Sequence, residues 1–281
     1  MTHKKITHTF LAREALEGAG VKLHRGFANA EIPQFDPFLL FDDFSATNPA
    51  DYLAGFPMHP HRGIETVTYI LQGDVRHRDS IGNSGLISAG DLQWMTSGSG
   101  IIHEEMPEGT RGIQGFQLWV NLPQKDKMMH PRYQEIKNNK IPEISFGKHA
   151  RMKIIAGDAD QNLGPVRDIM VSPLYLDIYV EPGKKISFPV VSTNTTFAYI
   201  FEGKVGLEEF GRAEHDRGTI ILFDKVGDTV ELTAGGAGAR FLLISGKPLG
   251  EQIAWYGPIV MNSEQEIKTA MEELRSGEFI K

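Results

Sequence analysis

The sequence predicts an all-β protein made of two antiparallel β-barrels with a short C-terminal helix. Three observations support this: short β-branched and aromatic runs bounded by turn residues, one pattern that recurs in both halves, and a single amphipathic stretch near the C-terminus. The 281 residues include 30 glycines and 15 prolines, an above-average share that favours many turns and short strands.

Eight runs have the composition of strands, because they are rich in β-branched and aromatic residues and lie between turn clusters. They are Thr66–Leu71, Leu92–Met95, Phe116–Val120, Met152–Ile155, Leu174–Val180, Phe197–Phe201, Thr219–Phe223 and Phe241–Ile244. In the third of these runs, Gln117 is the one polar residue.

The two halves of the chain repeat one motif. Tyr69–Gly73 matches Tyr199–Gly203, and a second glycine, Gly90 or Gly218, opens a later strand in each half. Such self-similarity indicates a tandem duplication. We therefore predict a first barrel over residues 1–130, a polar linker over 131–149, and a second barrel with the C-terminal helix over 150–281.

The helix is predicted from its start signal and its apolar stripe. Ser263 and Glu266 have the spacing of a capping box, in which each side chain satisfies a free backbone N–H. Ile267, Ala270, Met271 and Leu274 follow at helical spacing, and Gly277 is suited to end the helix.

Composition excludes several classes of protein. The net charge of −7 and the absence of a basic stripe argue against a nucleic-acid partner. With no cysteine, disulfides, thiolate metal sites and cysteine nucleophiles are excluded. No run approaches the ~18 apolar residues of a membrane span, and the N-terminus lacks the apolar core of a signal peptide, so we expect no membrane contact and a cytoplasmic location.

Two short motifs carry the chemistry. In His59-Pro60-His61 the imidazoles are two residues apart, so on a strand they point to the same face. The same rule places His103 and Glu105 on one face and Glu104 on the other. Three imidazoles and a carboxylate on facing strands predict a metal site suited to Fe, Ni, Co, Mn, Cu or Zn.

The run from Phe56 to Pro107 resembles the pirin family of the cupin superfamily. Further segments with the same resemblance are Gln34–Asp43, Leu118–Pro123 and Trp255–Asn262. The resemblance implies a bicupin of two jelly-roll barrels and one mononuclear divalent metal, usually iron, in the N-terminal barrel. It implies His59, His61, His103 and Glu105 as the metal ligands. Glu65 lies where many cupins place a carboxylate ligand, and we expect it to be a strand residue near the site instead.

The second half lacks a matching ligand set. When the halves are aligned on their glycines, the four positions are held by Pro189, Val191, Glu231 and Thr233. One candidate donor among four cannot hold a transition metal, so we expect the C-terminal barrel to be metal-free.

The resemblance also implies a function. Bacterial pirin-like proteins imply quercetin 2,3-dioxygenase activity, with a flavonol and O₂ as substrates. For that reaction we predict Glu105 as the base that takes the proton of the flavonol 3-hydroxyl, directly or through a bound water molecule. Eukaryotic pirins imply an alternative, a non-enzymatic redox-responsive regulator with a protein partner. A vestigial cupin with a structural metal is a third interpretation.

For Arg62 we expect a salt bridge with Asp42, Asp43 or Glu65, and for His77 and His130 a solvated position.

Overall fold

The computed structural model describes residues 2–28, 32–207 and 213–281. Strands β1 to β12 are Ile6–Leu11, Arg13–Glu17, Val21–Phe27, Phe38–Asp43, Phe56–His61, Ile64–Gln72, Asp74–Asp79, Ser84–Ile87, Leu92–Thr96, Ile101–Glu108, Gln114–Asn121 and Arg132–Ile136. Strands β13 to β24 are Glu143–Phe146, Ala150–Ala156, Asp158–Ala159, Asn162–Leu163, Leu174–Val180, Lys185–Pro189, Thr195–Leu207, Ala213–His215, Thr219–Phe223, Thr229–Gly246, Ala254–Tyr256 and Ile259–Met261. Helix α1 is Glu264–Ser276. The prediction of an all-β chain with a short C-terminal helix is confirmed, and all eight predicted runs lie in strands.

The N-terminal unit comprises Arg13–Asn138 together with Leu249–Lys281. It contains a seven-stranded sheet in the order β12-β9-β6-β11-β4-β3-β2 and a four-stranded sheet in the order β5-β10-β7-β8. Its apolar core takes side chains from both sheets, such as Leu23 and Ile70 from one and Val75 and Ile87 from the other. Buried and more exposed side chains alternate along β7 of the four-stranded sheet, whereas β4 and β9 of the seven-stranded sheet are buried along their whole length. The centre of the larger sheet is therefore covered on both faces.

The C-terminal unit comprises the chain up to Ala12 together with Asn139–Pro248. Its nine-stranded sheet follows the order β1-β21-β19-β22-β17-β14-β13, with β18 on β22 and β20 on β19. Its core is a large cluster of buried aliphatic and aromatic side chains that includes Ile178, Ile200 and Phe241.

The division of the chain differs from the predicted boundaries at both ends. Strand β1 pairs with β21, so the first residues belong to the C-terminal unit. The C-terminal helix belongs to the N-terminal unit, where Ile267, Ala270 and Phe279 pack in one cluster with Ile259. The segment predicted as a linker holds β12, which pairs with β9, and β13, which pairs with β14. Local sequence patterns could not indicate these pairings, because their partners are distant in the chain.

The repeat seen in the sequence is also a repeat of hydrogen bonding. Gly90 N–H donates to Ile70 O at 2.7 Å, and Gly218 N–H donates to Ile200 O at 2.8 Å. Both glycines have positive φ, 86° and 88°, which other residues rarely adopt. Each unit therefore uses the same glycine turn to lead into the next strand.

Helix α1 has the predicted caps. Ser263 Oγ accepts from Glu266 N–H, and Gly277 ends the helix with φ 79°. No helix of the described residues is long and apolar enough to cross a membrane.

Candidate metal centre

Two paired strands position the histidines. β5 and β10 run antiparallel, with His59 opposite His103 and His61 opposite Ile101. His59 and His61 lie two residues apart and share a face of β5. On β10 the burial alternates, so His103 and Glu105 are buried whereas Glu104 is only partly so. The pairing brings three imidazoles from two strands to one place.

The three imidazoles converge. One ligand nitrogen from each of His59, His61 and His103 lies within 4.8 Å of the others. The ring centroids are 4.8 Å apart for His59 and His61, 4.5 Å for His59 and His103, and 5.1 Å for His61 and His103. Nitrogens this close can be drawn together around one ion.

Backbone carbonyls fix the tautomer of two of these rings. His59 Nδ1 lies 2.9 Å from Pro57 O, and His61 Nδ1 lies 3.2 Å from Pro258 O. A carbonyl only accepts, so in each ring Nδ1 carries the hydrogen and Nε2 keeps its lone pair. Metal-binding histidines commonly have a hydrogen bond of this kind at the second nitrogen.

His103 supplies the strongest test of fit for a metal. It is 0% exposed, and neither ring nitrogen has a hydrogen-bond partner. An unpaired buried polar group is costly, by about 1–3 kcal/mol, and coordination to a metal would remove that cost. Burial lowers the pKa of His103 and His61 well below the ordinary value, and the neighbouring His59 lowers both further. The rings are therefore neutral at pH 7, as metal ligands must be.

Glu105 lies outside this cluster of ligand atoms and has hydrogen bonds of its own. Among the described residues, the cluster of mutually close ligand atoms contains the three histidines and not Glu105. Glu105 is 4% exposed. Thr68 Oγ1 donates to its Oε1 at 2.8 Å, and Gln117 Nε2 donates to its Oε2 at 3.0 Å. The structure thus places Glu105 on the histidine face of β10 with a carboxylate whose two oxygens are both engaged.

The neighbouring acids face elsewhere. Glu104 forms an ion pair with the exposed Arg78. Glu65 lies three residues before Thr68 on β6, so its side chain is on the opposite face of the sheet from the one that meets Glu105. Thr96 Oγ1 donates to Glu65 at 2.8 Å, and burial raises the pKa of Glu65 to about 7.

A cavity of about 650 Å³ opens beside the histidines, within the N-terminal unit. His59, His61 and Gln117 line it, and Trp119 and Trp255 form an aromatic wall. The two indole rings are 6.2 Å apart between centroids and tilted by 38°. Trp119 also meets the His61 ring edge-on at 5.0 Å. Such a cavity suits a flat aromatic molecule.

An ion pair forms the polar part of the cavity wall. Arg25 donates twice to Asp42, from Nε at 2.9 Å and from Nη2 at 2.8 Å, and its Nη1 lies 2.7 Å from Glu17. Burial raises the pKa of Asp42 to about 6, although the contact with Arg25 acts in the opposite direction. The Arg25 guanidinium is already engaged by two carboxylates, those of Asp42 and Glu17.

Two of the expectations for single residues were wrong. Arg62 pairs with Glu273 at 2.6 Å, not with Asp42, Asp43 or Glu65, and it donates to Ser99 O at 2.7 Å and Phe279 O at 3.0 Å. Its partner is on the C-terminal helix, which no local pattern connects to Arg62.

His77 is the second correction. It is 0% exposed, not solvated, because it lies directly opposite Glu105 in the pairing of β7 with β10. Its Nε2 is 2.5 Å from Glu135 Oε1, close but without the alignment of a hydrogen bond. Strand register, which the sequence did not reveal, decides its burial.

The cavity residues Trp255 and Gln117 were not predicted as functional. For Gln117 a signal was present, since a lone amide in an otherwise apolar strand needs a buried polar partner. Trp255 carried no comparable signal, because aromatic residues in strands are most often core. For Trp119 the sequence favours the core, with the wall of a pocket for a flat ligand as the alternative, and the residue lines the cavity.

The fold and the site together define a two-domain cupin protein with a three-histidine centre in its N-terminal unit. The sequence profile of the pirin family matches residues 20–120, and that of the pirin C-terminal cupin domain matches residues 175–280. The chain belongs to the pirin family.

Individual relatives match over nearly the full length. A pirin-like protein of Caulobacter vibrioides is 41% identical, over 94% of this chain and 94% of its own. Pirin of Homo sapiens is 39% identical, over 97% of this chain and 93% of its own. A crystal structure of quercetin 2,3-dioxygenase from Acinetobacter baumannii is similar with a TM-score of 0.86 and 30% identity, over 99% of this chain and 98% of the other.

Proposed function

We propose that this protein is a metal-dependent dioxygenase that cleaves flavonols such as quercetin, with Fe(II) as its metal. One observation carries the proposal: three convergent imidazoles, including the unpartnered His103, lie beside an aromatic cavity of about 650 Å³. The similarity to the Acinetobacter baumannii quercetin 2,3-dioxygenase supports the same class of reaction.

His59, His61, His103 and Glu105 would hold the metal. Nitrogen and oxygen donors of this kind suit Fe, and also Ni, Co, Mn, Cu and Zn. Three neutral imidazoles and one carboxylate leave a net charge of about +1 with a divalent ion, which favours an anionic oxygen ligand. When bound, the metal supplies Lewis acidity toward the flavonol oxygen and, as iron, redox chemistry toward O₂.

The cavity supplies recognition of a flat, hydroxylated aromatic molecule. Its volume of about 650 Å³ lies within the ~300–1,000 Å³ that small-molecule sites usually have. The rings of Trp119 and Trp255 offer faces for stacking, and the Gln117 amide and the Arg25–Asp42 pair offer polar edges. Burial of the substrate against these walls also excludes bulk water from the reacting carbons.

Glu105 is the proposed base for the flavonol 3-hydroxyl. A second, small cavity of about 10 Å³ is lined by Glu105 and Thr68, and also by Gln117 and Phe56, which line the large cavity as well. Apolar side chains such as Val21 and Val75 form most of the wall of this small cavity, and Glu105, Thr68 and Gln117 are bonded to one another there. In the proposal Glu105 therefore takes the proton from the hydroxyl directly or through a bound water. O₂ then adds across the central ring, both of its atoms stay in the depside product, and the ring carbon that bore the hydroxyl leaves with its oxygen as carbon monoxide.

The test is turnover by protein loaded with iron under anaerobic conditions. On addition of quercetin and O₂, we expect equal amounts of flavonol loss, O₂ uptake and carbon monoxide release. Metal-free protein and His103→Ala should give none of the three. If the iron-loaded protein binds quercetin but consumes no O₂ and releases no carbon monoxide, the dioxygenase proposal fails. The non-enzymatic regulator would then replace it, to be tested by a redox-dependent pull-down of a protein partner.

A further inference from the structure

A chain of hydrogen bonds connects the wall of the large cavity with Glu105. Trp119 Nε1 donates to Gln117 Oε1 at 3.0 Å. The amide nitrogen of Gln117 donates to Glu105 Oε2 at 3.0 Å and lies 3.3 Å from Thr68 Oγ1. Gln117 and Trp119 are two residues apart on β11, so both side chains extend from the same face of the strand.

Donor and acceptor chemistry leaves one arrangement of this chain. The indole N–H of Trp119 can only donate, so the amide atom that faces it must be the oxygen of Gln117. The NH₂ group of Gln117 is then directed toward Glu105, whose carboxylate accepts it. A rotated amide would set N–H against N–H at Trp119 and oxygen against oxygen at Glu105. Trp119 therefore fixes the orientation of the amide, and the amide fixes one oxygen of the carboxylate.

We propose that Gln117 and Trp119 are positioning residues that hold the Glu105 carboxylate for metal binding and connect it to the occupant of the cavity. The inference rests on the proposed function in taking Glu105 as a group of the metal centre. It assigns Gln117 a role beyond packing, because its amide is the polar group that joins the Trp119 N–H to the Glu105 carboxylate.

The connection to the cavity follows from the position of Trp119. Its ring lines the cavity, meets His61 edge-on at 5.0 Å and lies 6.2 Å from Trp255. A planar ligand that stacks on the Trp119 ring contacts the residue whose indole N–H orients the Gln117 amide. Seating of the ligand and placement of the carboxylate are therefore coupled through two hydrogen bonds.

The experiment uses Co(II) alone as a probe in the full chain, because its visible absorption reports the number and geometry of its ligands without any turnover. Gln117→Met keeps the length of the side chain and removes the amide. We expect its Co(II) spectrum to move toward that of Glu105→Gln, and its dissociation constant for Co(II) to rise about tenfold, as is typical when a group that orients a ligand is lost. Circular dichroism and thermal unfolding establish that each variant is folded.

Two tryptophan variants form a matched pair. Trp119→Phe keeps a ring but removes the N–H, so we expect a smaller spectral change in the same direction as Gln117→Met. Trp255→Phe is the control, because the Trp255 N–H donates to Gly257 O at 2.7 Å and not to Gln117. Its Co(II) spectrum should match that of the unaltered protein. Because Trp119→Phe does not remove the amide, the proposal can still be tested if Gln117→Met fails to fold.

The outcomes separate this inference from the proposed function. If Glu105→Gln alters the spectrum while Gln117→Met and Trp119→Phe do not, the positioning role is refuted. If Glu105→Gln also leaves the spectrum unchanged, Glu105 does not bind the metal and the inference fails with it. If the spectra change as expected but the iron protein does not turn over quercetin, the positioning role stands and the dioxygenase proposal fails. With turnover, Gln117→Met should lower kcat more than it raises KM.

Discussion

Replacing Glu105 with glutamine tests the carboxylate while nearly conserving its volume. The side chain is 4% exposed and accepts from Thr68 Oγ1 at 2.8 Å and from Gln117 Nε2 at 3.0 Å. A carboxylate offers two acceptor oxygens to these two donors, whereas an amide offers one oxygen and two further N–H groups. In either orientation of the new amide, one buried N–H or O–H is left without an acceptor.

The structure sets the size of the expected effects. An unpaired buried donor costs about 1–3 kcal/mol, so the metal-free variant should lose about that much free energy of unfolding. At roughly 2–4 °C per kcal/mol, Tm should fall by several degrees. Three histidines remain, so we expect a modest loss of metal affinity. Turnover of quercetin should fall by about 10²-fold or more, the usual size of general-base catalysis.

Glu104→Gln is the matched control, since Glu104 is the neighbour in sequence and points to the other face of β10. It pairs with Arg78, whose side chain is 63% exposed, so the loss should be within about 1 kcal/mol with metal content and turnover nearly intact. Urea unfolding, metal analysis and O₂ uptake on both variants measure the contrast. If the Glu104 variant lost metal while the Glu105 variant kept full activity, the assignment of Glu105 to the histidine face of β10 and of Glu104 to the other face would be refuted.

Four further predictions use other parts of the molecule. His103→Leu should abolish metal binding but stabilise the metal-free protein by about 1 kcal/mol, since it removes two unpartnered buried nitrogens; lower stability in urea would contradict this. Glu273→Gln should cost about 1–3 kcal/mol, because Arg62 is 2% exposed and would keep only two carbonyls and the Phe279 ring as partners in place of a carboxylate; an unchanged Tm would show that the ion pair contributes nothing. Burial raises the pKa of Glu65 from 4.5 to about 7, so the folded protein binds one more proton than the unfolded chain between those pH values. The free energy of unfolding should therefore fall as the pH rises through that window, and a Glu65→Gln variant whose free energy of unfolding in urea has the same pH slope between pH 5 and pH 8 would refute this. Elemental analysis after reconstitution should find about one metal per chain, and two tightly bound ions would overturn the expectation of a metal-free C-terminal barrel.

The sequence revealed most of the fold because its strand signals are local. Each run of β-branched and aromatic residues needs only its own composition and a flanking turn to be recognised, and all eight lie in strands. The convergence of His59, His61 and His103 was also accessible, since the two-residue period of a strand determines which side chains share a face.

What the sequence could not reveal depends on pairing between distant segments. The burial of His77 follows from its register opposite Glu105, and Glu273, the partner of Arg62, lies on a helix more than 200 residues further along the chain. Leu249–Lys281 also belongs to the N-terminal unit although it is distant from that unit in the chain. A local sequence pattern shows that a side chain is apolar or charged, but it does not show which distant strand or helix packs against that side chain.

The two units share a glycine turn but differ at the positions that match the candidate metal ligands. Both retain the glycine turn, with Gly90 bonded to Ile70 O and Gly218 bonded to Ile200 O, because strand entry depends on that backbone geometry. The positions that match the N-terminal histidines have no such constraint, and Pro189 and Val191 carry no metal-binding atom there. The N-terminal unit alone also receives Pro258 O, which fixes the tautomer of His61, and Trp255, which lines the cavity, both from the segment that returns after the C-terminal unit. The site therefore depends on β5, β10, β11 and the returning C-terminal residues of one unit, whereas the turn needs only a single glycine.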